Sequence, residues 1–454
     1  MGLLAALSES ERVLPLFIFD PRQTDRTQNA YFSEASFQFL LTSLAELNEA
    51  LQEKGASLRV FAGSPSDIIA SLIENDDIDA VYSNKDYTPF ARLRDKEIAD
   101  ACEARGVAFS RHDDVCLSPI ETIKTGGNAP YTVFTPFMRN ARTHTVPTPQ
   151  KNTYRNFFDD TLHTPESSLA QFSADTHGRE LALRGGRTEA LAILKKMDFL
   201  EGYATRRNRV DDPPGTSRLS AHHKFGTISI RETYHAARGH RESGEKFISE
   251  LYWRDFYYYT AYHFPTVFTQ SFLPWARNLR WINDEAHFAA WCEGKTGVPI
   301  VDAGMRQLNH TGYMHNRARM IVASYLTKNL LIDWKWGERY FASKLIDYDP
   351  AQNNGGWQWS ASVGTDPRPL RIFNPYLQAA EYDPDARYIQ TWVPELRDVP
   401  NKRLTDEKTQ NFNTLAPSYP APLVDQKESY HRARAAYADA KLLYKSQSSH
   451  AKTN

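Results

Sequence analysis

Between Val13 and Arg111 short apolar runs alternate with stretches of helical spacing, which leaves the first region of this chain few architectures to choose from. Val13–Asp20 (VLPLFIFD), Ser57–Ala62, Asp79–Ser83 and Val107–Arg111 read as buried strands. Helices are expected over Tyr31–Lys54, from the Ser64-Pro65-x-Asp67 start, and over Phe90–Arg105. Apolar strands separated by helices imply an α/β region with a parallel sheet covered on both faces. No G-x-G-x-x-G follows any of these strands, so the dinucleotide fingerprint is absent.

From about Ser118 to Gly186 the chain is rich in Thr, Pro, Ser and Asn and reads as a long connector. Past Arg187 the pattern turns helical. Glu189–Asp198, Ile228–Arg238, Ser243–His263, Asp284–Cys292, Asp302–Thr311 and Asn316–Asp333 carry helical apolar spacing, and Glu428–Leu443 precedes a polar tail. All nine tryptophans lie between Trp253 and Trp392. With 454 residues, more than one core usually supports, this asymmetry divides the chain in two. The boundaries fall at 1–118, a linker at 119–186, an all-α region at 187–445 and a tail at 446–454.

A formal net charge of −1 excludes any argument for nucleic-acid binding from overall charge; a local basic patch would be required. Cys102, Cys116 and Cys292 are far apart without a C-x-x-C, which fits a reducing compartment with no disulfide framework and no metal site. The first residues lack the basic flank of a signal peptide, and the aromatic run Leu251–Phe268 carries Arg254 and Asp255, unlike a membrane span. The chain reads as soluble, cytoplasmic and free of membrane partners.

The chemistry concentrates in a few segments. DYDPAQNNGGWQW (347–359) packs two carboxylates, two amides, two glycines and two tryptophans into thirteen positions. Its Asp, Asn and Gly content argues against a helix or a core segment, and suits a polar aromatic ligand gripped by carboxylates and amides. GTSRLS (215–220) places hydroxyls and backbone N–H groups beside an arginine, a cradle for an anion. Glu250 and WRDF (253–256) set an acid, an indole and a guanidinium on adjacent helical faces, and MHNRARM (314–320) puts Asn316 and Met320 on one face. The turn Thr365–Pro375, ending in RIFNP, carries Arg368 and Arg371 and is suited to phosphates.

In this order, these motifs closely resemble the DNA photolyase/cryptochrome family of blue-light flavoproteins, from about Val13 to Tyr437. The resemblance implies an α/β, Rossmann-like antenna domain followed by an all-α domain that holds FAD, with a folate or deazaflavin antenna possible. Tyr203 and Thr216, Ser217, Arg218, Leu219 and Ser220 match positions holding the FAD phosphates and ribityl chain. Asp347 and Asp349 match contacts to the ring system, with Asp347 also pairing Arg319, and Asn353 matches the residue facing flavin N5. Trp357, Trp334 and Trp281 match the electron-transfer triad.

The substrate implied is a cyclobutane pyrimidine dimer flipped out of UV-damaged DNA. Trp253 and Trp359 would wall its pocket and Asn316 and Met320 would line the floor. Glu250 would act as a desolvated acid hydrogen-bonded to a thymine carbonyl. Arg207, Arg254, Arg317, Arg371 and Gln378 would contact DNA or the lesion. Asn316, where six-four photolyases resemble one another in a second histidine, favours cyclobutane dimers; the TSRLS and NNGGWQW forms resemble class I enzymes, and a monomer is expected. A signalling cryptochrome is the rival reading, which an amide at position 353 disfavours. Two departures stand out. The family's opening strand, with its W-F-R-x-D-L-R pattern, is absent from the start, so free sheet edges are expected. His222 and His223 stand where relatives more often carry apolar residues.

Overall fold

The computed structural model describes residues 1–173, 181–365, 370–409 and 416–450. The four strands are present, each somewhat shorter than the apolar run that encodes it: β1 Leu16–Phe19, β2 Arg59–Ala62, β3 Ala80–Asn84 and β4 Ala108–His112. They form two parallel pairs, β1 with β2 (Leu16 opposite Arg59) and β3 with β4 (Ala80 opposite Ala108). No ladder joins β1 to β3 among the described residues. The pairs still share one apolar layer, in which Leu16, Ile18, Phe61, Val81 and Phe109 meet Ile69, Leu72 and Cys102 from the flanking helices.

Helix α1 (Gly2–Glu9) lies against β3. Gly2 donates its N–H to Asn84 Oδ1 at 2.8 Å, and a Cβ there would sit 2.9 Å from the Ser83 carbonyl carbon, so the approach requires glycine. Helices α2 (Glu34–Gln52), α3 (Pro65–Asn75) and α4 (Pro89–Glu103) cover the strands; Ser33 and Thr88 cap two of them with their side chains.

The connector is less featureless than its composition suggests. Helix α5 (Phe134–Ala141) buries Phe134, Phe137 and Ala141, one face at i, i+3, i+7 hidden among Thr and Pro. Further along, Val13 bridges Phe157 and Ser167 donates to the Val60 carbonyl, so this part of the connector runs along the sheet, while its first part packs on the helical region.

In the helical region α6 (Ser220–Phe225), α7 (Arg241–His263), α8 (Asn316–Ser324), α9 (Trp334–Lys344), α10 (Pro350–Ser360) and α11 (Gln426–His450) position the site. Two expectations are corrected. The single helix expected over Asn316–Asp333 ends at Ser324, passes into a π turn at Tyr325–Asn329, and breaks where Leu331 adopts φ +53°. The segment read as a poor helix is a helix from Pro350 to Ser360. Asp349 caps it, accepting from the Gln352 N–H at 3.0 Å, and Pro350 takes the first turn, where no N–H is needed. The amides that would compete with helix are engaged elsewhere: Asn354 and Gln358 both donate to the Val267 carbonyl. Nor is it a poor core segment, since Ala351, Asn354, Trp357, Gln358 and Ser360 are buried. The helix α11 also runs past the expected end at Leu443.

Candidate active site

Three loops and the starts of α8 and α10 converge on Tyr313. The Arg218 guanidinium lies 5.1 Å from its ring centroid, Arg319 lies 5.6 Å away, and Thr216 is within hydrogen-bonding reach of its hydroxyl. Arg218 reaches this place by adopting φ +55° and donating to the Ala182 carbonyl at 3.0 Å. Ser217 Oγ accepts from the Leu219 N–H, Leu219 is buried, and Ser220 starts α6. The cradle therefore presents backbone and hydroxyl groups, while the Leu219 side chain serves only as an anchor. Arg319 donates to both oxygens of Asp347 (2.8 and 3.1 Å) and to the Met314 carbonyl. Burial works against the guanidinium charge, yet Asp347 outweighs it and holds Arg319 above its ordinary range.

Beside this pair, buried Asp349 accepts from the Tyr258 hydroxyl. Asn353, one turn along α10, donates its amide to the Glu338 carbonyl (2.9 Å) and to Glu338 Oε1 (3.0 Å). That fixes its amide nitrogen toward α9 and leaves its oxygen free to face a ligand. Gly355 is pressed on the Tyr257 ring, where a Cβ would come within 2.1 Å, whereas Gly356 faces open space. Burial raises Glu338 to about 7, opposed by its bond from Asn353. A carboxyl that keeps its proton in the folded state up to about pH 7 binds more protons folded than unfolded from about pH 4.5 upward. Stability should therefore fall by up to a few kcal/mol as pH rises from about 4.5 to 7 and level off above. Denaturant midpoints across that window should lose this slope in Glu338→Gln; an unchanged slope in the variant would refute the assignment.

A second set faces outward. Asn316 and Met320 stand one turn apart on α8, with Asn316 Nδ2 3.7 Å from Met320 Sδ. Glu250 on α7 is paired with Arg207, and Lys246 Nζ lies 3.6 Å away. Arg207 is also close enough to His315 and Arg317 to act on both electrostatically, which brings Glu250 to the start of α8. The expectation of a desolvated acid at Glu250 is corrected: it is a half-buried carboxylate in an ion pair. Trp253 stacks on Phe134 of the connector, ring centroids 3.8 Å apart and planes at 10°. Arg317 donates to Asn208 at 2.8 Å and lies over Tyr382. Trp359 and Gln378 are partly exposed and Arg371 is exposed. Residues 366–369 of that turn, Arg368 among them, lie outside the described residues.

Arg254 is the clearest correction. It points inward, donating to the carbonyls of Val115 and His223 with its guanidinium 4.8 Å from the Tyr258 ring centroid. It ties the segment after β4 to α7, in place of the DNA contact expected of it. Tyr203 is buried among Phe199 and Phe247, its ring 5.6 Å from the Arg207 guanidinium. His222 and His223 pair with Thr227 and Thr233, and burial lowers them to about 4 and about 3. They are neutral core residues, and the described residues contain no metal-binding cluster.

Trp357 and Trp334 are buried and Trp281 is partly exposed at the edge of the same core. Trp334 donates its indole N–H to Ser271 Oγ at 3.2 Å. Sequence reasoning missed Trp291, fully buried with its ring 6.0 Å from Trp357, and also Tyr313, Tyr258 and Glu338. Tyr313 adjoins the MHNRARM motif and could have been found from it. Glu338 is separated from Asn353 by fifteen positions, and no local pattern couples them.

The sequence profile of the FAD binding domain of DNA photolyase matches residues 247–439, and that of DNA photolyase matches residues 1–152. The deoxyribodipyrimidine photo-lyase of Synechococcus is 38% identical over 97% of this chain and 95% of its own length. That of Escherichia coli is 37% identical over 96% and 95%. The chain belongs to the DNA photolyase/cryptochrome family. An archaeal photolyase from Sulfolobus tokodaii, solved with two FAD molecules, superimposes with a TM-score of 0.87 at 39% identity, covering 96% of both chains. A cryptochrome of Synechocystis matches at 0.86 and 27% identity, so the fold itself is common to repair enzymes and cryptochromes. The two-domain fold is that of the photolyases, with small parallel sheets first and a helical FAD-binding domain after.

The residues present fit FAD. Buried polar atoms without a protein partner, Arg218 Nε and His315 Nε2, lie in these motifs, and Gly356 leaves open space. A large cofactor rich in phosphates, hydroxyls and ring nitrogens would satisfy such groups.

Proposed function

We propose that this chain is a deoxyribodipyrimidine photo-lyase that splits cyclobutane pyrimidine dimers in DNA under blue light. The observation that carries the reading is the approach of the Glu250–Arg207 pair to the start of α8, where Asn316 and Met320 stand one turn apart. Reduced FAD, when bound, supplies the light-driven electron, which returns after the ring splits, so no net redox change occurs.

The chain's own residues have separable tasks. Thr216, Ser217, the backbone of Arg218–Ser220, Arg319, Asp347 and Asp349 would hold the cofactor, with Tyr203 backing the loop. Asn353, oriented by Glu338, offers its carbonyl oxygen to the ring system and no strong acid. Trp253 and Trp359 offer flat faces to a flipped dimer. Asn316 and Met320 form the floor, and Glu250 accepts from a pyrimidine ring N–H as a carboxylate or, once protonated, donates to a pyrimidine carbonyl. Arg207, Arg317 and Arg371 provide the local positive charge that a net charge of −1 does not, and Gln378 supplies a neutral polar contact. Trp357, Trp334 and Trp281 offer an inward route for an electron from the surface, with burial highest at the inner two. No helix among the described residues is long and apolar enough to cross a membrane, and we place the enzyme in the cytoplasm as a monomer.

The test is blue-light repair of an oligonucleotide bearing one thymine cyclobutane dimer, with reduced protein and a dark control. Light-dependent loss of the dimer is expected. A protein that holds and photoreduces FAD but leaves the dimer intact, while repairing a six-four lesion or neither, would overturn the assignment.

A further inference from the structure

The segment Leu370–Phe373 and helix α11 enclose a cleft of about 550 Å³, lined by Leu370, Arg371, Ile372, Phe373, Tyr430 and Arg434. Its floor is fastened to the far end of the helix that carries Asn316 and Met320. Phe373 donates its N–H to Ser324 Oγ at 3.4 Å, and buried Lys328 donates to the Arg371 carbonyl. Arg432 donates to the Asn329 carbonyl, drawing α11 onto the same turn.

The cations here lack counter-ions. Arg206, Arg207, Arg209, Arg306 and Arg319 are each held by a carboxylate. Arg371 and Arg434 are exposed, and among the described residues no carboxylate binds either; the Arg434 guanidinium only overlies Tyr430, 5.7 Å from its ring centroid. Among the described residues no carboxylate pairs with Lys328, and burial, then the Arg371 charge, lowers it to about 7. Of the acids flanking these segments, Asp425 caps α11 and Glu407 accepts from Asn374. Cations gathered without acids, beside two aromatic rings, complement an anion that carries a flat group.

We propose that this cleft seats a phosphate of the DNA strand flanking the lesion, held by Arg371 and Arg434, with Tyr430 and Phe373 as a stacking surface for its base. The inference rests on the function proposed above and extends its DNA contacts to the last helix. Asn316 and Ser324 are eight residues apart, about 12 Å of helix rise, which spans three or four base-pair steps of roughly 3.4 Å. An isolated dimer held at Asn316 would not span that distance.

The experiment compares wild type, Arg434→Gln, Arg434→Lys and Tyr430→Leu as flavin-bound proteins, with the flavin spectrum reporting folding. Dark affinity for a dimer-bearing duplex is measured across salt, alongside light-driven repair of a thymine dimer dinucleotide. For Arg434→Gln, the log–log salt slope should shrink by about 0.9 and duplex affinity should fall severalfold, with Arg434→Lys keeping the slope. Tyr430→Leu should weaken duplex binding without changing the slope. The KM for the dinucleotide should not move. An unchanged duplex slope in Arg434→Gln, or equal weakening of duplex and dinucleotide, overturns the proposal. Inorganic phosphate at matched ionic strength that abolishes the difference between wild type and Arg434→Gln would assign the cleft to a free anion, and so overturns it too. Absence of repair by wild type would count against the photolyase reading alone, since the salt slope is read in the dark.

Discussion

Asp347→Ala is expected to yield protein without flavin and with a folded state weakened by roughly 3–5 kcal/mol, the usual cost of stranding one partner of a buried ion pair. Arg319 would keep its bond to the Met314 carbonyl but lose the carboxylate that offsets its desolvation. The double variant Arg319→Leu, Asp347→Leu separates folding from cofactor binding. Removing both charges should restore most of the stability, because neither is left alone in the core. It should still not hold FAD, because the cofactor loses its polar partners beside Tyr313. Denaturant midpoints and the flavin absorbance of purified protein decide the matter. Full flavin occupancy in Asp347→Ala, with stability within about 1 kcal/mol of wild type, would remove this pair from the site.

Much of this architecture was readable because it is written at the periods of its elements. The four strands and three intervening helices of the first region follow from apolar runs and helical spacing, with boundaries displaced by a few residues. The displacement has a cause: Val13–Pro15 are as apolar as the strand they precede, but Val13 is engaged by Phe157 and lies outside the named ladder. Helix α10 failed for the opposite reason. Its Asp, Asn and Gly residues carry low helical preference, and the stabilising contacts come from Val267, Tyr257 and Glu338, all distant in sequence. Tertiary partners overrode local preference at the very segment where the sequence concentrates its chemistry.

The side chains of the site divide in the same way. Adjacency in a motif was enough to bring Asn316 and Met320 together on one face of α8, but it could not orient Arg254. In sequence, WRDF offers an arginine to either face of a helix; only the passage of Val115 beside α7 determines that it turns inward. Likewise, nothing local announces that Glu250 meets Arg207, forty-three positions away. That pairing changes the chemistry expected of the acid.

The Glu250–Arg207 pair leads to an unusual expected split between binding and repair. In the free protein Arg207 neutralises Glu250 and is thereby occupied. Docking of a dimer would redirect the Glu250 carboxylate to a pyrimidine ring N–H, from which it accepts, and release the guanidinium toward the DNA backbone. Glu250→Gln keeps the shape but gives up the charge-assisted bond, worth roughly 1.5–3 kcal/mol. Light-dependent repair should therefore fall roughly tenfold to a hundredfold. Dark affinity for the dimer duplex should hold or rise, since Arg207 becomes free for a phosphate and the salt slope can steepen by up to about 0.9. Repair yield per absorbed photon at saturating protein, set beside dark titrations at two salt concentrations, reads both. If the variant lost binding and repair in the same proportion, Glu250 would be holding the lesion in its ground state rather than assisting the bond cleavage.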